Sequence, residues 1–179
     1  MIIGIGYRAA SGKDTVADYL VEKYHFNKTA FASSLKEACG TIFHLNNRQL
    51  HGDLKEVVDE FWGKTPRYIL QRVGTECMRH GYDEGIWIKS LERQVKNSKT
   101  GTHWVISDTR FINEAYAIKN WGGKLVKMDR PESGASGGIF KHASEIELEE
   151  FNGWDYIIHN DSTIEDLFRK VDNMMELIL

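Results

Sequence analysis

An apolar strand that runs into Ser11-Gly12-Lys13 and out into an amphipathic helix leaves this chain few folds to choose from. The lead-in, Met1 to Gly6, is short and rich in Ile. The helix reads from Gly12 or Lys13 to Tyr24, with Val16, Ala17, Leu20 and Val21 at helical spacing. A tight turn between such elements aims successive backbone N–H groups at one point, and the helix start adds partial positive charge. That is the chemistry of a phosphate cradle. Gly12 allows close approach of the backbone, and Lys13 supplies a point charge between the β- and γ-phosphates of a nucleoside triphosphate. The candidate phosphate-binding residues are Ala9, Ala10, Ser11, Gly12, Lys13, Asp14 and Thr15.

Two departures from the usual phosphate loop stand out. The glycine expected five residues before the Gly-Lys pair is replaced by Tyr7, with Gly6 one residue earlier. The hydroxyl residue expected after the lysine is Asp14, followed by Thr15. A carboxylate holds Mg²⁺ directly or through water, so Asp14 is a candidate metal ligand in place of the hydroxyl.

Further along, short apolar strands are expected at 28–31, 104–107, 125–128 and 156–159. Helices are expected between them: after a cap at Ser33 or Ser34, in the second half of 46–64, from Pro66 through Val73, over 86–95, 113–121 and 142–151, and over 163–178. Gly122-Gly123 closes the 113–121 helix. Strand and helix alternate from end to end, with no repeat and no linker long enough to separate a pair of domains. The expectation is one α/β domain over 1–179 with the three-layer P-loop fold: a parallel sheet and helices on both faces. Ligands of such sheets sit at the carboxyl ends of the strands, so the turns after Gly6, Ser107, Met128 and His159 should line one site.

The strand ending Ser107-Asp108-Thr109-Arg110 puts an acid where phosphate-loop proteins face the nucleotide's metal, making Asp108 the second candidate Mg²⁺ ligand. Arg110 offers a guanidinium fork to phosphate oxygens over the same turn. Arg130-Pro131 leads into a glycine- and serine-rich stretch, which reads as a lid over about 129–142 carrying a catalytic arginine. Asn160-Asp161 after the last strand is a turn signal that can also reach the adenine. Lys36 and Arg79 read by default as surface charges on helices, and the tryptophans, Trp87 included, as core.

Composition narrows the class. The 179 residues are 41% hydrophobic and 27% charged, ordinary for a globular domain. A net charge of −3 and a pI of about 6.2 argue against duplex nucleic acid as a partner, because phosphate neutralisation needs a concentrated basic face. No apolar run reaches membrane-spanning length, and the apolar start lacks the basic leader of a signal peptide. Cys39 and Cys77 are in no metal-like spacing and read as buried free thiols of a reducing cytoplasm.

These pieces together resemble the bacteriophage deoxynucleoside monophosphate kinases. The resemblance rests on Ser11-Gly12-Lys13-Asp14-Thr15 with Ala17-Asp18, Phe31-Ala32 through Lys36, Leu70-Gln71 with Gly74-Thr75, Arg79 and Trp87. It continues through Ser107-Asp108-Thr109-Arg110, Arg130-Pro131, His142-Ala143-Ser144-Glu145 and Ile158-His159-Asn160-Asp161 with Leu167-Phe168. It makes Asp14 a family trait. It implies a nucleoside monophosphate kinase fold, ATP, Mg²⁺, a deoxynucleotide acceptor and, less directly, a homodimer in the cytoplasm, that of an infected host if the chain is of phage origin. It further implies an acceptor side within a variable helical region around 33–98, and acceptor-site or lid roles for Lys36, Arg67, Gly74, Thr75, Arg79, Trp87, Arg130, Ser144 and Glu145.

The reaction this suggests is in-line transfer of a phosphoryl group by positioning and charge neutralisation, with Lys13, Asp108, Arg110 and Arg130 as its principal residues. Two other readings share the same motifs. One is a kinase of another phosphorylated acceptor, such as dephospho-coenzyme A or phosphomevalonate. The other is a low-turnover ATP-binding regulatory protein, which the Tyr7 and Asp14 departures would suit.

Overall fold

A computed structural model describes residues 1–8, 10–131 and 147–178. The chain packs as two compact units. One comprises Met1–Ala30 and Ser98–Leu179, and the other Phe31–Asn97.

The first unit is built on five parallel strands: β1 (Ile2–Gly6), β2 (Asn27–Thr29), β3 (Trp104–Thr109), β4 (Lys124–Asp129) and β5 (Tyr156–His159). Their spatial order is β2-β3-β1-β4-β5, with the strand that feeds the phosphate loop at the centre. Helices α1 (Lys13–Tyr24), α6 (Ile112–Asn120) and α7 (Ile164–Ile178) cover it. Strand periodicity sorts the faces. Ile3 and Ile5 join Val16, Ala17 and Leu20 of α1 and Leu167, Val171, Met174 and Met175 of α7 in one core. Gly4 points the other way, where a β-carbon would collide with Ile118 of α6. Helices therefore lie on both faces, as the alternating pattern predicts. Each core side chain is essentially dry, and burial of this kind contributes about 1.5–3 kcal/mol per large aliphatic residue.

Strand β2 covers 27–29 and not the expected 28–31: its pairing with β3 ends at Thr29, opposite Ile106, and Phe31 belongs to the second unit. The described portion of the expected 142–151 helix is a turn: the Phe151 amide donates to the Leu148 carbonyl, and both residues bury their side chains. The rest of that helix, and the lid expected beyond Pro131, lie outside the described residues.

The second unit is helical: α2 (Ser33–Phe43), α3 (Asn47–His51), α4 (Pro66–Gln71) and α5 (Ile86–Lys96). No serine caps α2. Ala32 takes the cap position, and the Ser34 hydroxyl pairs instead with that of Ser90 at 2.8 Å. The 46–64 stretch is helical in its first half, contrary to the sequence expectation. A reciprocal capping box between Asn46 and Gln49 starts α3 there, and a 3-10 turn at Asp53–Glu56 follows. Pro66 begins α4 with Thr65 as cap, as its fixed φ favours. The chain then continues not as α-helix but as a nine-residue π-helix, Arg72–His80.

Both cysteines are free. Cys39 is buried, where burial pushes its thiol up to about 11, whereas Cys77 on the π-helix is exposed and corrects the expectation of two buried thiols. Among the described residues no helix is long and apolar enough to cross a membrane.

Candidate active site

The turn after β1 is held open by backbone conformations that side chains rarely adopt. Tyr7 has φ 94°, Ala10 57° and Gly12 97°. A glycine is the natural occupant of each, since a β-carbon in this region strains the chain. Tyr7 fills the place of the expected motif glycine with a φ that glycine adopts without strain. Gly6 serves a different need: a β-carbon there would sit 2.8 Å from the Trp154 ring and 2.9 Å from the Thr109 carbonyl. The Tyr7 ring is covered by two cations, the Lys127 ammonium 4.1 Å from its centroid and the Arg8 guanidinium 5.1 Å away. Arg8 also pairs with Glu149 at 3.6 Å. Ala9 lies outside the described residues.

Gly12 is the N-cap of α1 and provides no side-chain cap to the helix start. The first amides of a helix have no intrahelical partner, and phosphate oxygens suit them. The buried Ser11 hydroxyl donates to the Arg8 carbonyl at 2.9 Å. The Lys13 ammonium folds back over the turn and donates to the Tyr7 carbonyl at 3.3 Å, to the Arg8 carbonyl and to the Ser11 hydroxyl at 3.4 Å. Lysine thus closes the loop on itself. Thr15 stands half-buried in the first turn of α1.

Asp14 in the first turn of α1 and Ser107 on β3 are close enough for the Ser107 hydroxyl to favour the ionised Asp14 carboxyl. Lys28 of β2 pairs with the same carboxylate at 3.0 Å and with Asp18 at 2.9 Å. Much of the Asp14 side chain is open to solvent, yet neighbouring atoms desolvate its carboxyl. That desolvation works against ionisation. Lys28, the Ser107 hydroxyl and the Lys13 charge outweigh it and hold Asp14 below the usual carboxylate range.

The end of β3 is bulged. Gly4 faces Ile106 and Gly6 faces Thr109, so β3 spends one residue more than β1 across Ser107-Asp108. A bulge re-aims side chains, and this one falls at the half-buried Asp108. Glu114, 2% exposed, then fixes the following turn by accepting from the Arg110 amide at 2.9 Å and the Phe111 amide at 3.2 Å. Ile112 donates to Glu147 at 2.9 Å.

Asn160, expected near an adenine, braces the loop. Its side-chain amide donates to the Ser11 carbonyl at 3.1 Å, and its backbone amide to the Asp129 carbonyl at 2.7 Å. Asp161 instead pairs with Lys170 at 2.7 Å. Arg130 is exposed at the end of β4. The Asn160 bonds tie the turns after β1, β4 and β5 together, and parallel pairing sets the end of β3 beside that of β1. Ser144 and Glu145 lie outside the described residues.

The remaining candidates belong to the second unit. Lys36 meets Nδ1 of His51 at 3.3 Å. Arg67 pairs with Glu56. On the π-helix, Gly74, Thr75 and Arg79 are the buried positions. Bonding from i to i+5 brings Gly74 and Arg79 onto one face, which an α-helical period would separate. Arg79 is only 4% exposed and donates to the Glu84 carbonyl at 3.2 Å, so it is not the surface charge that its helical position suggested. Trp87 is buried and its indole N–H donates to the Gly74 carbonyl at 2.9 Å. A β-carbon on Gly74 would lie 2.5 Å from Leu35. Sequence reasoning gave Lys28 no part in the site. Nothing in a linear reading places Lys28 beside Asp14, fourteen positions away in another element.

This architecture has counterparts among known proteins. The family model described as deoxynucleotide monophosphate kinase matches residues 54–171. An Acanthamoeba polyphaga mimivirus protein provisionally named deoxynucleotide monophosphate kinase is 36% identical over 188 aligned positions, covering 96% of this chain and 94% of that protein. The deoxynucleotide monophosphate kinase of Enterobacteria phage T4 is 25% identical over 128 positions, covering 70% of this chain and 51% of its own length. Among solved structures, a dephospho-CoA kinase from Campylobacter jejuni shares the fold, with a TM-score of 0.59 at 16% identity over 99% of this chain and 96% of that one. The chain belongs to the deoxynucleotide monophosphate kinase family.

Proposed function

We infer that the chain transfers the γ-phosphoryl group of ATP to a phosphate oxygen of a deoxynucleoside monophosphate, giving the deoxynucleoside diphosphate and ADP. The observation that carries this is the Lys13 loop braced by Asn160, with the Ser107-Asp108-Thr109-Arg110 turn at the end of the strand paired beside β1, in a member of this family.

The acceptor phosphate is already ionised near neutral pH, so its oxygen attacks the γ-phosphorus without a strong general base. The bond from the γ-phosphorus to the bridging oxygen breaks, and ADP leaves with that electron pair. The chain contributes position and charge. The amides of Ala10 to Thr15 and the α1 terminus hold the phosphates. Lys13 exchanges its loop carbonyls for phosphate oxygens. Arg110 and Arg130 neutralise charge that spreads as the bond breaks. Asp14 and Asp108 would hold Mg²⁺, an ion that takes one or two carboxylates beside phosphate oxygens and water. That ion would supply further charge neutralisation.

For Lys36, Arg67, Gly74, Thr75, Arg79 and Trp87, acceptor roles are assigned by family resemblance. Ser144, Glu145 and the lid around 129–142 are assigned by family resemblance to excluding water, without which ATP would be hydrolysed. The resemblance also favours a homodimer, and the free thiols suit a reducing cytoplasm.

The test is an acceptor screen. Protein, ATP and Mg²⁺ are mixed with each of the four deoxynucleoside monophosphates, with dephospho-coenzyme A, and with no acceptor, and ADP is followed. ADP that depends on a deoxynucleotide supports the reading. ADP with dephospho-coenzyme A alone, or without any acceptor, replaces it with another kinase or an ATPase.

A further inference from the structure

We propose that Lys28 is a positioning residue for the phosphate loop. Its ammonium bridges Asp14 and Asp18 and fixes the Asp14 carboxylate, so that the acid at the position after Lys13 does not repel the bound triphosphate. The proposal rests on the reading that this loop holds the phosphates of ATP.

The argument starts from charge. A hydroxyl at the position after Lys13 is neutral, and the carboxylate of Asp14 adds a negative charge beside a polyanion. Such a side chain must be restrained or neutralised where it stands. The fold does both with one cation. Lys28 reaches from β2 to α1, and its Nζ lies 3.0 Å from Asp14 and 2.9 Å from Asp18. Asp14 and Asp18 are four residues apart on α1 and so share one helix face. Two carboxylates anchor one ammonium, which limits its freedom more than a single pair would. The backbone at Lys28 is fixed in turn by parallel pairing of β2 with β3, where Lys28 lies opposite Val105. The Asp14 carboxylate is thereby restrained from the neighbouring strand β2. A lone surface ion pair would contribute little to stability. A restraint of this kind acts on where a charge stands, and its effect appears in nucleotide affinity.

The experiment is a double-mutant cycle on ATP binding in EDTA, read by calorimetry, so that neither turnover nor metal enters. Lys28→Met is expected to weaken ATP binding about tenfold, and Lys28→Arg to keep it within about threefold of the parent. In an Asp14→Ser background, Lys28→Met is expected to change affinity less than threefold, because the residue that it restrains is gone. An equal loss in both backgrounds would overturn the proposal in favour of a direct or general electrostatic effect. No loss in either would overturn it outright. Circular dichroism and thermal melting of each variant identify any that fail to fold, and Lys28→Arg then carries the comparison. A parent protein that does not bind ATP would sink the functional reading itself, an outcome distinct from a parent that binds ATP regardless of residue 28.

Discussion

The side-chain amide of Asn160 donates to the Ser11 carbonyl at 3.1 Å and so ties the end of β5 to the phosphate loop. The same amide nitrogen would stand 2.6 Å from a β-carbon at Gly12, whose φ of 97° already excludes most side chains. The two residues interlock: the loop passes under Asn160 only because Gly12 has no side chain. Asn160→Ala removes one hydrogen bond, a change of about 0.5–1.5 kcal/mol, and should raise the KM for ATP about threefold to tenfold. Gly12→Ala adds about 1–2 kcal/mol of left-handed strain to a clash, and kcat/KM for ATP should fall at least tenfold. Steady-state kinetics at saturating acceptor checks both.

Tyr7 offers a reversal of the usual ranking of alanine over glycine. Both Tyr7→Ala and Tyr7→Gly lose the Lys127 and Arg8 contacts and the edge contact to Trp154. Only the glycine variant relieves the φ of 94°. Tyr7→Gly should therefore be more stable than Tyr7→Ala by about 1–2 kcal/mol, measured as urea midpoints at equal m-value.

Asp172 on α7 gathers the Tyr24 hydroxyl at 2.8 Å, the Tyr19 hydroxyl at 2.9 Å and the Lys23 ammonium at 2.8 Å from α1. Desolvation alone would raise its pKa, but Lys23, Tyr24 and Tyr19 outweigh it and hold the carboxyl below the usual range. A carboxylate depressed on folding contributes stability above its unfolded pKa of about 3.9, and loses it as pH falls through the lower folded value. Stability of the parent should therefore fall below about pH 4 more steeply than that of Asp172→Asn, which has no proton to take up. Denaturant midpoints between pH 2 and 6 give both slopes.

In the second unit, Gly74→Ala places a methyl group 2.5 Å from Leu35. Overpacking of this kind costs about 1–3 kcal/mol. Because the Gly74 carbonyl also anchors Trp87 at 2.9 Å, the change should also shift the Trp87 emission. Trp87→Phe as background should abolish the spectral change and leave the destabilisation.

Much of the first unit was legible because its signals are local. Ile3 and Ile5 alternate with glycines, Ser11-Gly12-Lys13 follows at once, and Val16, Ala17 and Leu20 mark one helix face. Parallel order and the sheet edge then follow from handed crossovers. The second unit was harder. Asn46 and Gln49 carry a capping box, a signal present in the sequence, and it places a helix ahead of Gly52. A period of 3.6 residues per turn does not reveal a π-helix, and this is why Arg79 looked like a surface charge. Asn160 was marked as a site residue but for the base, whereas the bond that it makes is to the loop. Lys28 reaches Asp14 from β2, a strand whose place beside β3 is a pairing across about 75 residues of sequence.

Transfer of label tests the central claim most directly. The parent protein, γ-labelled ATP, Mg²⁺ and a deoxynucleoside monophosphate should yield labelled deoxynucleoside diphosphate in step with ADP, and Lys13→Ala, which lacks the ammonium now on the Tyr7 and Arg8 carbonyls, should yield at most a trace. Label found only in inorganic phosphate, or diphosphate formed as well by Lys13→Ala as by the parent, would contradict a kinase built on this loop.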